Sequence, residues 1–117
     1  DWVGFYRVVA PSLLKIGPYQ GGHGCLAIPF DNGVCGAAAR TASTQLVDDV
    51  EQFDGHIACA ASTRSELVIP ILDRAGAVRA VLDIDSDQQA FFTAEDAEIL
   101  AALSAELLAP AYALDSQ

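Results

Sequence analysis

The segment Leu82-Asp83-Ile84-Asp85-Ser86 sets two carboxylates two positions apart at the end of an apolar run. In a strand, the period of two puts Asp83 and Asp85 on one face and Leu82 and Ile84 on the other. The ordinary use of such a pair is a solvated strand end or a turn-making Asx residue. Glu66 sharpens the alternative. It stands immediately before the apolar run 67–72, the expected hairpin neighbour of the Asp83 strand, so that three acids converge at one mouth. Like charges held that close do not all ionise easily, and at least one carboxyl group is expected to stay protonated near neutrality, as a general acid must.

Cys25, Cys35 and Cys59 are odd in number and lack the pattern of a secreted disulfide framework, so they read as working thiols. Each taken alone serves equally well as a small buried filler. Cys59 follows Asp54-Gly55-His56-Ile57-Ala58 in a loop that leads toward Glu66. Acidic neighbours raise a thiol pKa, so a local donor has to compensate: the backbone N–H groups of this loop, or His56, whose ordinary reading is a plain loop histidine. Cys35 has the better intrinsic claim to acidity, because it is expected in a first helical turn, where the helix N-terminus lowers a thiol pKa. His23 and Cys25, His56 and Cys59, together with Cys35, offer ligands for a tetrahedral zinc ion. Their spacings do not match a structural zinc signature, and no metal is assigned.

The elements that must position these groups follow from pattern and turn chemistry. Residues 2–9 have the aromatic and β-branched content of a strand, with 13–16 as hairpin partner across Ala10-Pro11-Ser12. Gly17 is expected to end that hairpin, leaving 17–24 as a glycine-rich loop before a strand at 25–28. The alanine-rich stretch 34–41 predicts a short helix, with Asn32-Gly33 as turn and cap. A weak strand at 46–50 precedes a long, mostly small and polar connection over 51–65. Strands at 67–72 and 78–84 are joined by the hairpin signal Asp73-Arg74-Ala75-Gly76. The last helix starts at Thr93, with Asp96 at the capping-box position and Glu95 in the first turn, and runs through Leu100, Leu103 and Leu107. Antiparallel hairpins with a terminal helix predict an α+β architecture, one sheet covered by helices on at least one face. Trp2 and Tyr6 lie four residues apart on the first strand and therefore share a face, as core packing or as the wall of a pocket.

Composition excludes several classes. Six Lys and Arg against sixteen Asp and Glu give a formal charge of −10, which repels nucleic acid and anionic membrane surfaces. No apolar run approaches the roughly 20 residues that span a bilayer, and the opening residues are not a signal sequence, so a cytoplasmic location is expected. The length suits a single domain over 1–117.

With these residues assembled, the chain resembles the free methionine-(R)-sulfoxide reductases, a branch of the GAF-domain family. The matching segments are DWVGFY from Asp1, GPYQG from Gly17, NGVCG from Asn32, FDGHIAC from Phe53, SELVIP from Ser65 and LDIDS from Leu82. Filling of all three family cysteine positions alongside GHIAC is the specific part, since a plain sensory GAF domain has no need of that triplet. The resemblance implies a GAF-like antiparallel sheet flanked by helices. It also implies thiol-dependent reduction of the free amino acid through a cysteine sulfenic acid and an intramolecular disulfide.

On that resemblance Cys59 attacks the sulfoxide sulfur, Cys25 resolves first and Cys35 is an auxiliary resolving thiol. The helix-terminus argument leaves Cys35 open as the attacker. Glu66, Asp83 and Asp85 match the family's acidic positions, one to protonate the oxygen and another to bind the ammonium group, with the division among them open. Trp2 and Tyr6 match the aromatic wall for the thioether methyl, and Ile57 and Ala58 join the substrate-binding set. No bound cofactor is implied. The reductant is an external dithiol, thioredoxin with its NADPH-dependent reductase, and a homodimer is left open. Departures are Ala60 where Asp is common, Arg79-Ala80 where an apolar residue and Gly are common, and an N-terminal helical segment expected to be absent. The reading of a different class is a non-catalytic regulatory GAF domain sensing a small metabolite or redox state.

Overall fold

The computed structural model describes residues 1–22, 24–56 and 62–110. Its centre is a six-stranded antiparallel sheet built from β1 (Trp2–Ala10), β2 (Leu13–Gln20), β3 (Ala27–Pro29), β4 (Gln45–Val47), β5 (Ser65–Leu72) and β6 (Val78–Ser86), in the order β3-β2-β1-β6-β5-β4. The expected α+β architecture is found. Helix α1 (Gly33–Thr41) covers one face and α2 (Ala94–Leu103) the other.

Period-two alternation divides the central strands between two cores. Trp2, Tyr6, Val68 and Val81 pack with Val34, Cys35, Ala38 and Ala39 of α1. Leu67, Ile69, Leu82 and Phe92 pack on the opposite side with Ala97, Leu100 and Ala101 of α2. Small alanines let α1 lie close to the sheet, and Gly36 lets it approach the end of β3, since a Cβ there would stand 2.7 Å from the Phe30 carbonyl oxygen. The α2 start is as expected: Thr93 accepts from the Asp96 N–H while the Asp96 side chain accepts from the Thr93 N–H.

Several boundaries differ from expectation. β2 does not stop at Gly17 but pairs through Gln20, so Gly17, Pro18 and Tyr19 belong to the sheet. The register against β1 slips between Gly4 and Tyr6, a bulge that absorbs the Gly-Pro pair without ending the strand. β3 starts at Ala27 rather than at Cys25, and β4 ends at Val47, with a 3-10 turn over Val50–Gln52 in the supposed irregular connection. Glu66 is the second residue of β5, not its predecessor. The terminal helix keeps its α form only to Leu103 and continues as a π-helical turn over Ser104–Leu108. Among the described residues no helix is long and apolar enough to cross a membrane.

Candidate active site

The site face of the sheet is organised in cross-strand rows. Glu66 of β5, Asp85 of β6 and Trp2 of β1 stand side by side in the first row. Val68, Asp83, Gly4 and Tyr19 form the second, and Pro70, Val81 and Tyr6 the third. The alternation inferred for Leu82-Asp83-Ile84-Asp85 is therefore correct, and the solvated-strand-end reading is not. Asp83 is 4% exposed and Glu66 8%, while Asp85 is half-buried. Helix α1 closes the roof by dropping Cys35 onto the acids. Its Sγ lies 3.9 Å from Glu66 Oε2, and one donor atom each of Cys35, Glu66 and Asp83 fall within 4.8 Å of one another. Among the described residues this is the grouping with the spacing to close on a cation, and it is the acid cluster itself.

Burial dominates the electrostatics. It pushes the Glu66 carboxyl well above the usual range, with the charge of Asp83 adding to the effect. Asp83 is raised chiefly by burial and further by the charge of Asp85. Asp85, nearer solvent, is raised to about 8, first by burial and then by the charge of Glu66. Directly opposed like residues are unfavourable in a sheet when ionised, and holding protons relieves the conflict. Oδ1 of Asp83 and Oδ1 of Asp85 are enclosed without a hydrogen-bond partner among the described residues.

Cys35 corrects an expectation. It does sit in the first turn of α1, but the Asn32 cap makes no side-chain bond, and the thiol is buried against acids. Burial first, then the charges of Asp83, Glu66 and Asp85, push its pKa well above the ordinary value, overriding the helix terminus. Its sulfur is a free thiol, whereas Cys25 is disulfide-bonded. Cys59, the expected attacker, lies outside the described residues together with Ile57, Ala58, Ala60 and His23. His56 is half-buried, with its N–H bonded to the Phe53 carbonyl.

Trp2 and Tyr6 share a face as expected, buried in the α1-side core, and the aromatic cluster has a member that sequence reasoning missed. Trp2 and Tyr6 stack at 5.8 Å between ring centroids with 28° between planes. Tyr19 stacks on Trp2 as well, at 5.4 Å and 18°. The signal for Tyr19 lay in its identity: a large aromatic is out of place in a flexible glycine loop and well placed in a strand. Burial, together with the nearby Cys35 and acids, keeps the Tyr6 phenol protonated well beyond its ordinary range. A cleft of about 370 Å³ opens beside the first row, bordered by Trp2, Gly21, Asp85 and Phe92.

Comparison with known proteins bears on this arrangement. A family profile for the GAF domain matches residues 2–109. The free methionine-R-sulfoxide reductase of Saccharomyces cerevisiae is 43% identical over 106 residues, which span 89% of this chain and 59% of that protein. That of Escherichia coli is 43% identical over 107 residues, 92% of this chain and 64% of its own length. The chain thus spans less than two thirds of these curated relatives. The X-ray structure of free methionine-R-sulfoxide reductase from Neisseria meningitidis in complex with its substrate superposes with a TM-score of 0.89 at 39% identity, covering 99% of this chain and 70% of that one. Fold and sequence agree: the chain belongs to the GAF-domain family, in the branch of the free methionine-(R)-sulfoxide reductases.

Proposed function

We propose that this protein reduces free L-methionine-(R)-sulfoxide to methionine, with Cys59 as the attacking thiol. The observation that carries the reading is the row of buried Glu66, half-buried Asp85 and buried Trp2 with buried Asp83 behind it, a set of protonatable acids beside stacked aromatic rings. The thiolate of Cys59 attacks the sulfoxide sulfur while a carboxylic acid of the cluster delivers a proton to the oxygen. The S–O bond breaks, methionine leaves, and Cys59 holds a sulfenic acid. Cys25 then attacks that sulfur, water departs, and a Cys25–Cys59 disulfide remains. An external dithiol, thioredoxin with its NADPH-dependent reductase, returns both thiols. A carboxylate of the same cluster holds the substrate ammonium, and Trp2 and Tyr6 line the side of the S-methyl group, with Ile57 and Ala58 completing the contact set.

Two features support these roles. Cys25 is in the disulfide-bonded state while Cys35 is free, as expected if Cys25 is the first resolving thiol and Cys35 the auxiliary one. The upward push on the Cys35 thiol disfavours it as the attacker at neutral pH. The test is methionine release from the separate R and S epimers of free methionine sulfoxide with dithiothreitol, with Cys59→Ser alongside. Turnover of the R epimer alone, lost in the variant, is the expected result. Turnover that survives Cys59→Ser but vanishes with Cys35→Ser reverses the thiol roles. No turnover by the folded protein leaves a non-catalytic sensor.

A further inference from the structure

The side chain of Trp2 packs against Tyr6 and against residues for which no role has been given. It is only 6% exposed, and it stacks on two tyrosines, Tyr6 from its own strand and Tyr19 from β2. Tyr19 reaches it because its register partner on β1 is Gly4. A Cβ on Gly4 would stand 2.5 Å from Trp2 Cη2 and 2.5 Å from Tyr19 Cβ, so the missing side chain is the space in which the indole lies. Two further glycines close its edges. A Cβ on Gly21 would meet Trp2 Cδ1 at 2.6 Å, and one on Gly24 would meet Cζ2 at 3.0 Å and the Tyr6 hydroxyl at 3.3 Å. The ring is thus fixed in plane by two stacked partners and in rotation by backbone.

We propose that Tyr19 is a positioning residue that fixes the plane of the Trp2 indole and so sets the fit of the substrate's S-methyl side. This rests on the reading of Trp2 as a pocket wall in sulfoxide reduction. Tyr19 is itself 48% exposed, so it contributes little to core burial. What it offers is a second aromatic face parallel to the indole, a geometry worth more than area alone. With Tyr19 gone, the indole keeps Tyr6 as its one stacked partner among the described residues and gains freedom to tilt. A tilted wall weakens substrate binding more than it slows the chemistry at the thiol.

Trp2 is the only tryptophan of the 117 residues, so its spectrum reports this contact without any turnover. Three forms are compared: wild type, Tyr19→Ala and Tyr19→Phe. Near-ultraviolet circular dichroism and fluorescence anisotropy of the indole are recorded beside steady-state kinetics with free methionine-(R)-sulfoxide. In Tyr19→Ala the indole dichroism should weaken and KM should rise about two- to tenfold with kcat little changed, while Tyr19→Phe, which keeps the ring, should restore both. An unchanged indole signal in Tyr19→Ala overturns the proposal, as does a lowered kcat at unchanged KM. A variant that merely loosens the hairpin would lower the melting temperature and leave KM alone, which also overturns it. Absence of turnover in the wild type would sink the functional reading alone, and the indole signal would still decide whether Tyr19 holds Trp2.

Discussion

The two faces of the sheet are made by the same strands and differ by one residue of phase. On the α2 side, Leu67, Ile69 and Leu82 pack with Phe92 and Leu100 in an apolar cluster. On the α1 side, the intervening positions Glu66, Asp83 and Asp85 are buried or half-buried beside a thiol, and two of their oxygens lack partners among the described residues. Burial of acids with oxygens left unsatisfied works against folding, and burial of leucine and isoleucine supports it. One face therefore supplies stability that the other uses up, and the strand alternation lets a single hairpin, β5 with β6, do both. The hairpin's own closure is far from the conflict. Asp73 accepts from the Ala75 and Ala77 N–H groups at the tip, while the acids sit at the opposite end near Ser65 and Ser86.

Neighbouring substitutions on β5 should separate the two faces. Glu66→Gln keeps the shape and removes a proton donor or a substrate carboxylate. The expected result is a fall in kcat of about 10²–10⁴-fold, with a melting temperature equal to or above that of the wild type because a buried acid is gone. An unchanged rate would exclude Glu66 as the proton donor. Leu67→Ala, one residue along, should do the reverse. Leu67 has no exposed surface, and its truncation should cost about 2–5 kcal/mol of stability in denaturant titration, while the kcat of the folded fraction stays near wild type. Equal effects of both substitutions on rate and stability would mean that the faces are not divided in this way.

Much of this division was legible in the sequence because it rests on a period of two. Asp83 and Asp85 against Leu82 and Ile84, and Trp2 with Tyr6, follow from strand geometry once the strand is recognised. The α2 capping box was equally plain, being local side-chain chemistry. What escaped was set by tertiary structure. The bulge that carries β2 past Gly17 and Pro18 puts Ile16 opposite Tyr6 and Tyr19 opposite Gly4, three residues apart yet both turned toward the α1 side, a phase that alternation counting cannot give. The acidity of Cys35 was misjudged for a related reason. A helix terminus is visible in sequence, whereas the carboxylates that oppose it come from β5 and β6 and reach the thiol only in the folded chain. Cys59, Ile57 and Ala58 keep the roles proposed for them on family resemblance.

The mildest test of the comparison is pH. The Asp85 carboxyl, ordinarily near 3.8, stands at about 8 in the folded chain, so between those values the native state holds a proton that the unfolded chain has released. Stability must then fall as pH climbs from about 4 to about 8, with no further contribution from this group below or above that window. Glu66 and Asp83 are shifted in the same direction and steepen the decline. Thermal melts of wild type and Asp85→Asn across pH 5 to 9 should show a falling melting temperature in the first and a flatter curve in the second. The variant's advantage should be greatest at the alkaline end. A wild-type curve that instead rises through this range would mean that the acids are ionised and paired in the fold, and that the α1 face is stabilised by the charges it is here taken to suppress.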